Sequence, residues 1–183
     1  MSCFRPKNLL LVVGLAFLIL SLFVKVYFSR QALTFSELPP LSPPSLSVPE
    51  RIMIDRLKIN LPVKPAEIRN GLWQISPDSA SYLVGSGSVG QPGNLVIYAH
   101  NKNHLFGPIR WIRSGDEIII GTQDSQYTYS VVKTALVSPD RVDILAPSPD
   151  PTLTLYTCTG FLDRFRFVVT AEILDELPQN SLE

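Results

Sequence analysis

The sequence predicts a mainly β protein, a closed or nearly closed β-barrel that follows an N-terminal transmembrane helix. Three observations lead there. After about residue 50 the chain breaks into many short runs in which apolar and polar side chains alternate, separated by turn residues, with little helical periodicity. Before that point lies an uncharged, largely apolar stretch, Leu9 to Val24, with Arg5 and Lys7 ahead of it and Lys25 behind. Between the two, Gln31 to Glu50 is rich in Pro and Ser. Short strands joined by tight turns bury their inner faces most completely when the sheet closes on itself.

The apolar stretch is 16 residues long, short for a spanning helix, which usually needs ~20. Lys25 can snorkel, and Val26, Tyr27 and Phe28 carry the apolar character to the interface. A cleaved secretory signal is the competing reading. No small-x-small cleavage pattern follows the stretch, which favours an uncleaved anchor. The basic N-terminal flank places that end in the cytoplasm and the rest outside. The Pro/Ser-rich segment cannot bury enough surface to fold and reads as a semi-stiff stalk. Organisation is therefore expected as a cytoplasmic N-terminus (1–8), a signal-anchor (9–28), a stalk (29–49), a globular domain (50–177) and a C-terminal tail (178–183).

The strands expected in the domain are Arg51–Asp55, Ile59–Val63, Leu95–Ala99, Asp116–Ile120, Tyr127–Val132, Leu153–Thr157 and Phe165–Ile173. Gly85 to Gly93 holds four glycines and reads as a loop; Phe106 to Gly115 reads as a short helix ending at Gly115.

Charge and cysteine content exclude several function classes. Arg5, Lys7, Lys25 and Arg30 are the only charged residues among the first thirty, so the remainder carries 12 basic against all 16 acidic groups. A mildly acidic domain without a basic patch argues against nucleic-acid binding. The two cysteines, Cys3 and Cys158, flank the apolar stretch and would sit on opposite sides of a membrane. Neither a disulfide framework nor a clustered Cys/His zinc site is expected. The scattered acidic pairs, such as Asp116-Glu117, read as solvated, and no cofactor is expected.

The chemistry-bearing residues fall at strand ends. Leu153-Thr154-Leu155-Tyr156-Thr157-Cys158-Thr159 puts a thiol at the end of an alternating strand, whose direction fixes it while the next loop leaves it accessible. Eight residues on, Arg166 opens Arg166-Phe167-Val168-Val169-Thr170-Ala171. Upstream, His100 closes Asn94-Leu95-Val96-Ile97-Tyr98-Ala99-His100.

Together these residues resemble the sortases, membrane-anchored cysteine transpeptidases of the bacterial cell surface. Thr154-Leu155-Tyr156-Thr157-Cys158 resembles the family's Thr-Leu-x-Thr-Cys signature. Arg166 with its apolar followers is similar to the arginine strand, and His100 after small Ala99 to the catalytic histidine. Phe106 to Ile118 resembles the segment that follows that histidine; Arg51–Asp55 and Leu61-Pro62-Val63 resemble the opening strands. The similarity spans roughly Pro49 to Leu174. The short Cys158–Arg166 loop argues against the class with a long insertion there, and the chain's brevity leans toward class D or E.

The resemblance implies a closed sortase-like barrel of about eight strands with one or two short helices. It implies a Cys158 thioester with a Leu-Pro-x-Thr-Gly-like sorting signal on exported proteins. The acyl group would then pass to an amine of a cell-wall precursor or a pilin lysine. His100 would be the general acid and base, favoured over His104 in its polar loop. Arg166 would bind the oxyanion or the substrate backbone, favoured over Arg164, which on a strand would share its face. Thr157 and Ala99 are candidate substrate-binding residues, although Thr157 is equally a strand-favouring β-branched residue. Trp73 and Trp111 read as core or groove residues. The alternatives are a non-catalytic, membrane-tethered β-barrel binding module with Cys158 buried, and another kind of cysteine enzyme. The glycine-containing cysteine motifs of the latter do not occur here.

Overall fold

A computed structural model describes residues 6–29, 47–69 and 72–178. It divides into two units, Met1–Leu33 and Thr34–Glu183. In the first, helix α1 runs from Pro6 to Ser29. Its side chains are described only for residues 12–23, and among the described residues no helix is long and apolar enough to cross a membrane. Cys3 and most of the expected stalk lie outside the described residues.

The second unit is built on ten strands: β1 (Arg51–Ile54), β2 (Ile59–Ala66), β3 (Ile68–Arg69), β4 (Leu72–Trp73), β5 (Ala80–Leu83), β6 (Gly93–Tyr98), β7 (Glu117–Gly121), β8 (Ser125–Val137), β9 (Pro151–Thr159) and β10 (Phe165–Pro178). Eight of them close a barrel in the order β1-β2-β5-β6-β9-β10-β8-β7, and β3 and β4 form a separate hairpin. All seven strands read from the alternation are present. The strands missed are β3, β4 and β5, too short to show a period.

Burial alternates as the pleat requires. Ile52, Ile54, Leu95, Ile97, Ile118, Ile120, Tyr129, Leu153, Leu155 and Val169 fill the barrel, each under 1% exposed. Strands β6 and β9 are buried on their outer faces too, as Val96, Tyr98, Thr154 and Tyr156 show. Two elements cover that outer face. The β3–β4 hairpin brings Trp73 onto Tyr98 and Tyr156. The segment near Leu145 offers the carbonyls of Ile144 and Ala146 to the Asn94 side-chain amide, each at 3.1 Å, while the Thr154 hydroxyl donates to Asn94 Oδ1 at 2.7 Å.

Two expectations change. The helix expected over Phe106–Gly115 is a 3-10 turn, Gly107–Trp111, capped at Ile112; Gly115 instead takes φ 87° in the turn into β7. Trp111 is 64% exposed and is therefore not a core residue. Pro108 explains the brevity, since its ring suits only the first turn.

Candidate active site

Register brings the three strand-end residues together. In the antiparallel β9–β10 pair Cys158 lies directly opposite Arg166, so the two side chains leave the sheet on the same face. In the parallel β6–β9 pair Tyr98 lies beside Tyr156. Two residues further along, on the same face of each strand, come His100 and Cys158. The alternate positions Leu95, Ile97, Ala99, Leu153, Leu155 and Val169 point into the core. Cys158, His100 and Arg166 therefore share the outer face.

The backbone around His100 is pinned. Its carbonyl accepts from Lys102 N at 2.8 Å and Phe106 N at 3.2 Å, and fully buried Leu105 and Phe106 anchor that loop. His104, on the same loop, is exposed. Thr157 and Ala99 turn inward, 3% and 2% exposed. The Thr157 hydroxyl donates to the Ala99 carbonyl at 2.8 Å, tying the end of β9 to the residue before His100.

Arg166 is 4% exposed. Its Nη1 donates to the carbonyls of Asp163 (2.6 Å) and Phe165 (3.0 Å), and its Nε is buried with no hydrogen-bond partner among the described residues. A surface ion pair with Asp163 is therefore not its role; it meets the Asp163 backbone instead. Arg164 precedes β10, is exposed and does not share that strand face. The loop from Cys158 to Arg166 contains a single 3-10 turn, Phe161–Asp163. Gly160 (φ 83°), Leu162 (φ 58°) and Asp163 (φ 55°) all sit in the left-handed region, which costs a residue with a Cβ ~1 kcal/mol or more. Phe161 projects outward, 80% exposed.

Burial dominates the site's electrostatics. It pushes the Cys158 thiol above its ordinary value; the Arg166 charge opposes this and Asp163 adds to it. Burial also holds His100 below the ordinary imidazole value; Lys102 adds to this and Asp163 opposes it. Both shifts favour the uncharged forms, thiol and neutral imidazole. Among the described residues no group of three or more His, Cys, Asp or Glu could hold a metal ion.

Trp73, read from the sequence as a core or groove residue, is buried against Tyr98 and Tyr156. The β3–β4 hairpin that carries it escaped the sequence reading, and the signal that could have revealed it is Asn70-Gly71, a dipeptide typical of two-residue hairpin turns.

Comparison with known proteins gives a consistent picture. Over 128 residues the chain is 27% identical to sortase A of Bacillus anthracis, a match covering 68% of this chain and 59% of that protein. Over 100 residues it is 31% identical to sortase SrtE1 of Streptomyces coelicolor, covering 48% of this chain and 28% of that protein. The chain thus spans under two thirds of the length of these two relatives. The fold resembles the SrtA sortase of Actinomyces oris with a TM-score of 0.64 at 22% identity, covering 81% of this chain and 92% of that one. A family model described as the sortase domain matches residues 52–174, from the first barrel strand through most of the last. With more than half of its residues inside that match, the chain belongs to the sortase family.

Proposed function

We propose that this chain is a cysteine transpeptidase that cleaves a Leu-Pro-x-Thr-Gly-like signal on exported proteins and joins the acyl fragment to an amine. The observation that carries the reading is Arg166 lying opposite Cys158 with a buried, unfilled Nε donor. A buried donor without a partner costs roughly 1–3 kcal/mol, a cost removed when an acceptor arrives. A developing oxyanion at the carbonyl attacked by Cys158 is such an acceptor.

In this reading the Cys158 thiolate adds to the scissile carbonyl carbon, and Arg166 donates to the oxyanion. The C–N bond breaks as the His100 imidazolium gives its proton to the departing amine, leaving a thioester. An incoming amine then loses a proton to His100 and attacks the thioester carbonyl. The C–S bond breaks and the Cys158 thiolate returns. Thr157 and Ala99 act through their mutual hydrogen bond, which fixes His100 relative to Cys158.

Anchoring rests on the sequence: the apolar run Leu9–Val24 and its basic flank, with residues 1–8 cytoplasmic, 9–28 in the membrane, 29–49 a stalk and 50–177 the extracellular catalytic domain. A cell-wall precursor or a pilin lysine is the acceptor, and the short loop after Cys158 favours a class D- or E-like enzyme.

The test uses the full chain in detergent, incubated with Leu-Pro-x-Thr-Gly-like peptides and followed by intact mass spectrometry. An acyl adduct on the wild type, absent in Cys158→Ala, supports the reading. A Cys158 that neither forms an adduct nor reacts with a small alkylating reagent would overturn it in favour of a binding module.

A further inference from the structure

Arg166 holds its charge almost out of water, 4% exposed at the start of β10. A buried cation is costly unless other groups replace its hydration. Among the described residues the ion pairs belong to Arg56, Lys64, Arg69 and Arg141, and no carboxylate pairs with Arg166. What surrounds the guanidinium is neutral. The carbonyls of Asp163 and Phe165 accept from Nη1, and Tyr156 stands on the neighbouring strand.

Register sets Tyr156 there. In the β9–β10 pair Tyr156 lies opposite Val168, and Cys158 lies opposite Arg166. Tyr156 and Arg166 are therefore diagonal neighbours on the face that also carries Cys158, ~7–8 Å apart along the backbones, a gap that an aromatic and a long side chain span together. Tyr156 is 0% exposed, and the Trp73 ring lies roughly parallel to it, with centroids 5.9 Å apart at 24°. The phenol is thus confined from behind. Burial pushes it well above its ordinary value, the Arg166 cation pulls it down and Cys158 pushes it up, so its hydroxyl feels both groups of the proposed chemistry.

We infer that Tyr156 is a positioning residue, whose neutral phenol braces the Arg166 guanidinium so that the unfilled Nε stays directed at the carbonyl attacked by Cys158. The inference rests on the transpeptidase reading. A carboxylate in the same place would hold the guanidinium as firmly, but would cancel the charge that the oxyanion needs. A phenol kept neutral by burial orients the cation and leaves that charge available.

The experiment compares wild type and Tyr156→Phe, each as the full chain in detergent, on a cleaved peptide. The replacement removes one oxygen and keeps the ring beneath Trp73. Its kcat should fall about tenfold with KM within about twofold, the size expected for losing a polar contact to a charged group in the transition state. Alkylation of Cys158 by a small reagent, which needs no oxyanion donor, should keep its wild-type rate. In an Arg166→Lys background the same replacement should lower the acylation rate less than about twofold, because the braced group is gone; single-turnover acylation followed by intact mass reads these slow variants. A kcat unchanged in Tyr156→Phe, or an equal loss in both backgrounds, would overturn the inference. A loss shared by alkylation and acylation would show a merely structural tyrosine and overturn it as well. Should Tyr156→Phe fail to fold, 3-fluorotyrosine at position 156 decides. It nearly keeps the volume and weakens the oxygen as an acceptor, so the rate should fall beside Arg166 and hold beside Lys. Wild type that acylates with no peptide would overturn the transpeptidase reading and this inference with it.

Discussion

Replacing Thr157 by Val separates the support of the site from its chemistry. The two side chains have nearly the same shape, so no cavity forms, and the change removes one hydroxyl that donates to the Ala99 carbonyl at 2.8 Å in a buried setting. Losing that bond and stranding the carbonyl costs about 1–2 kcal/mol. For a domain of this size that lowers the melting temperature by roughly 3–8 °C. The functional consequence should exceed the thermodynamic one. The backbone pairing of β6 and β9 ends at a long 3.4 Å bond from Ala99 N to Tyr156 O, so the Thr157 hydroxyl is the firmer link between the strand ends that present His100 and Cys158. A displacement of ~1 Å between reacting groups lowers rates by about 100-fold. Steady-state kinetics on a cleaved peptide, well below the melting transition, should show kcat reduced about 10- to 100-fold with KM little changed. Thr157→Ser, which keeps the donor, should retain most of the rate. Equal rates for the Ser and Val variants would refute the positioning argument. A rise in KM alone in the Val variant would mean that the hydroxyl contacts substrate instead.

Further outcomes follow from the structure. The pH dependence of kcat/KM should be bell-shaped, its acid limb below the ordinary imidazole range and its alkaline limb above the ordinary thiol range, because burial lowers His100 and raises Cys158. Asp163 favours the proton on both groups, so Asp163→Asn should move both limbs to lower pH; fixed limbs would show that its carboxylate does not act there. The same shifts bear on stability. His100 binds its proton less readily in the folded state, so its contribution rises with pH from its folded value up to the ordinary imidazole value. Cys158 holds its proton more readily when folded, so its contribution falls as pH climbs from the ordinary thiol value to its folded value. Gly90→Ala should destabilise by roughly 2–4 kcal/mol in urea denaturation, because Gly90 has φ +72° and an added Cβ would lie 2.3 Å from the Tyr127 ring; wild-type stability would disprove the close approach.

By itself, the sequence determined seven of the ten strands and, through their alternation, which face of those strands turns inward. Alternation at Ile52/Ile54, Ile118/Ile120 and Leu153/Leu155 encodes the pleat, because burying one face requires apolar residues at every second position. It also placed Cys158, His100 and Arg166 at strand ends. Period-two patterning does not name a strand's neighbour, however. Only the tertiary structure set β6 beside β9, 58 residues on by the Thr157–Ala99 bond, and put Arg166 in register with Cys158. Nor could local sequence show that the outer faces of β6 and β9 are covered. The hairpin strands that carry Trp73 have two residues each, too few for any period, and their place is fixed by contacts with Tyr98 and Tyr156 far along the chain. The left-handed backbone at Leu162 was equally hidden, because leucine rarely adopts it. The neighbouring Arg166, donating to the Asp163 carbonyl, holds that conformation in place.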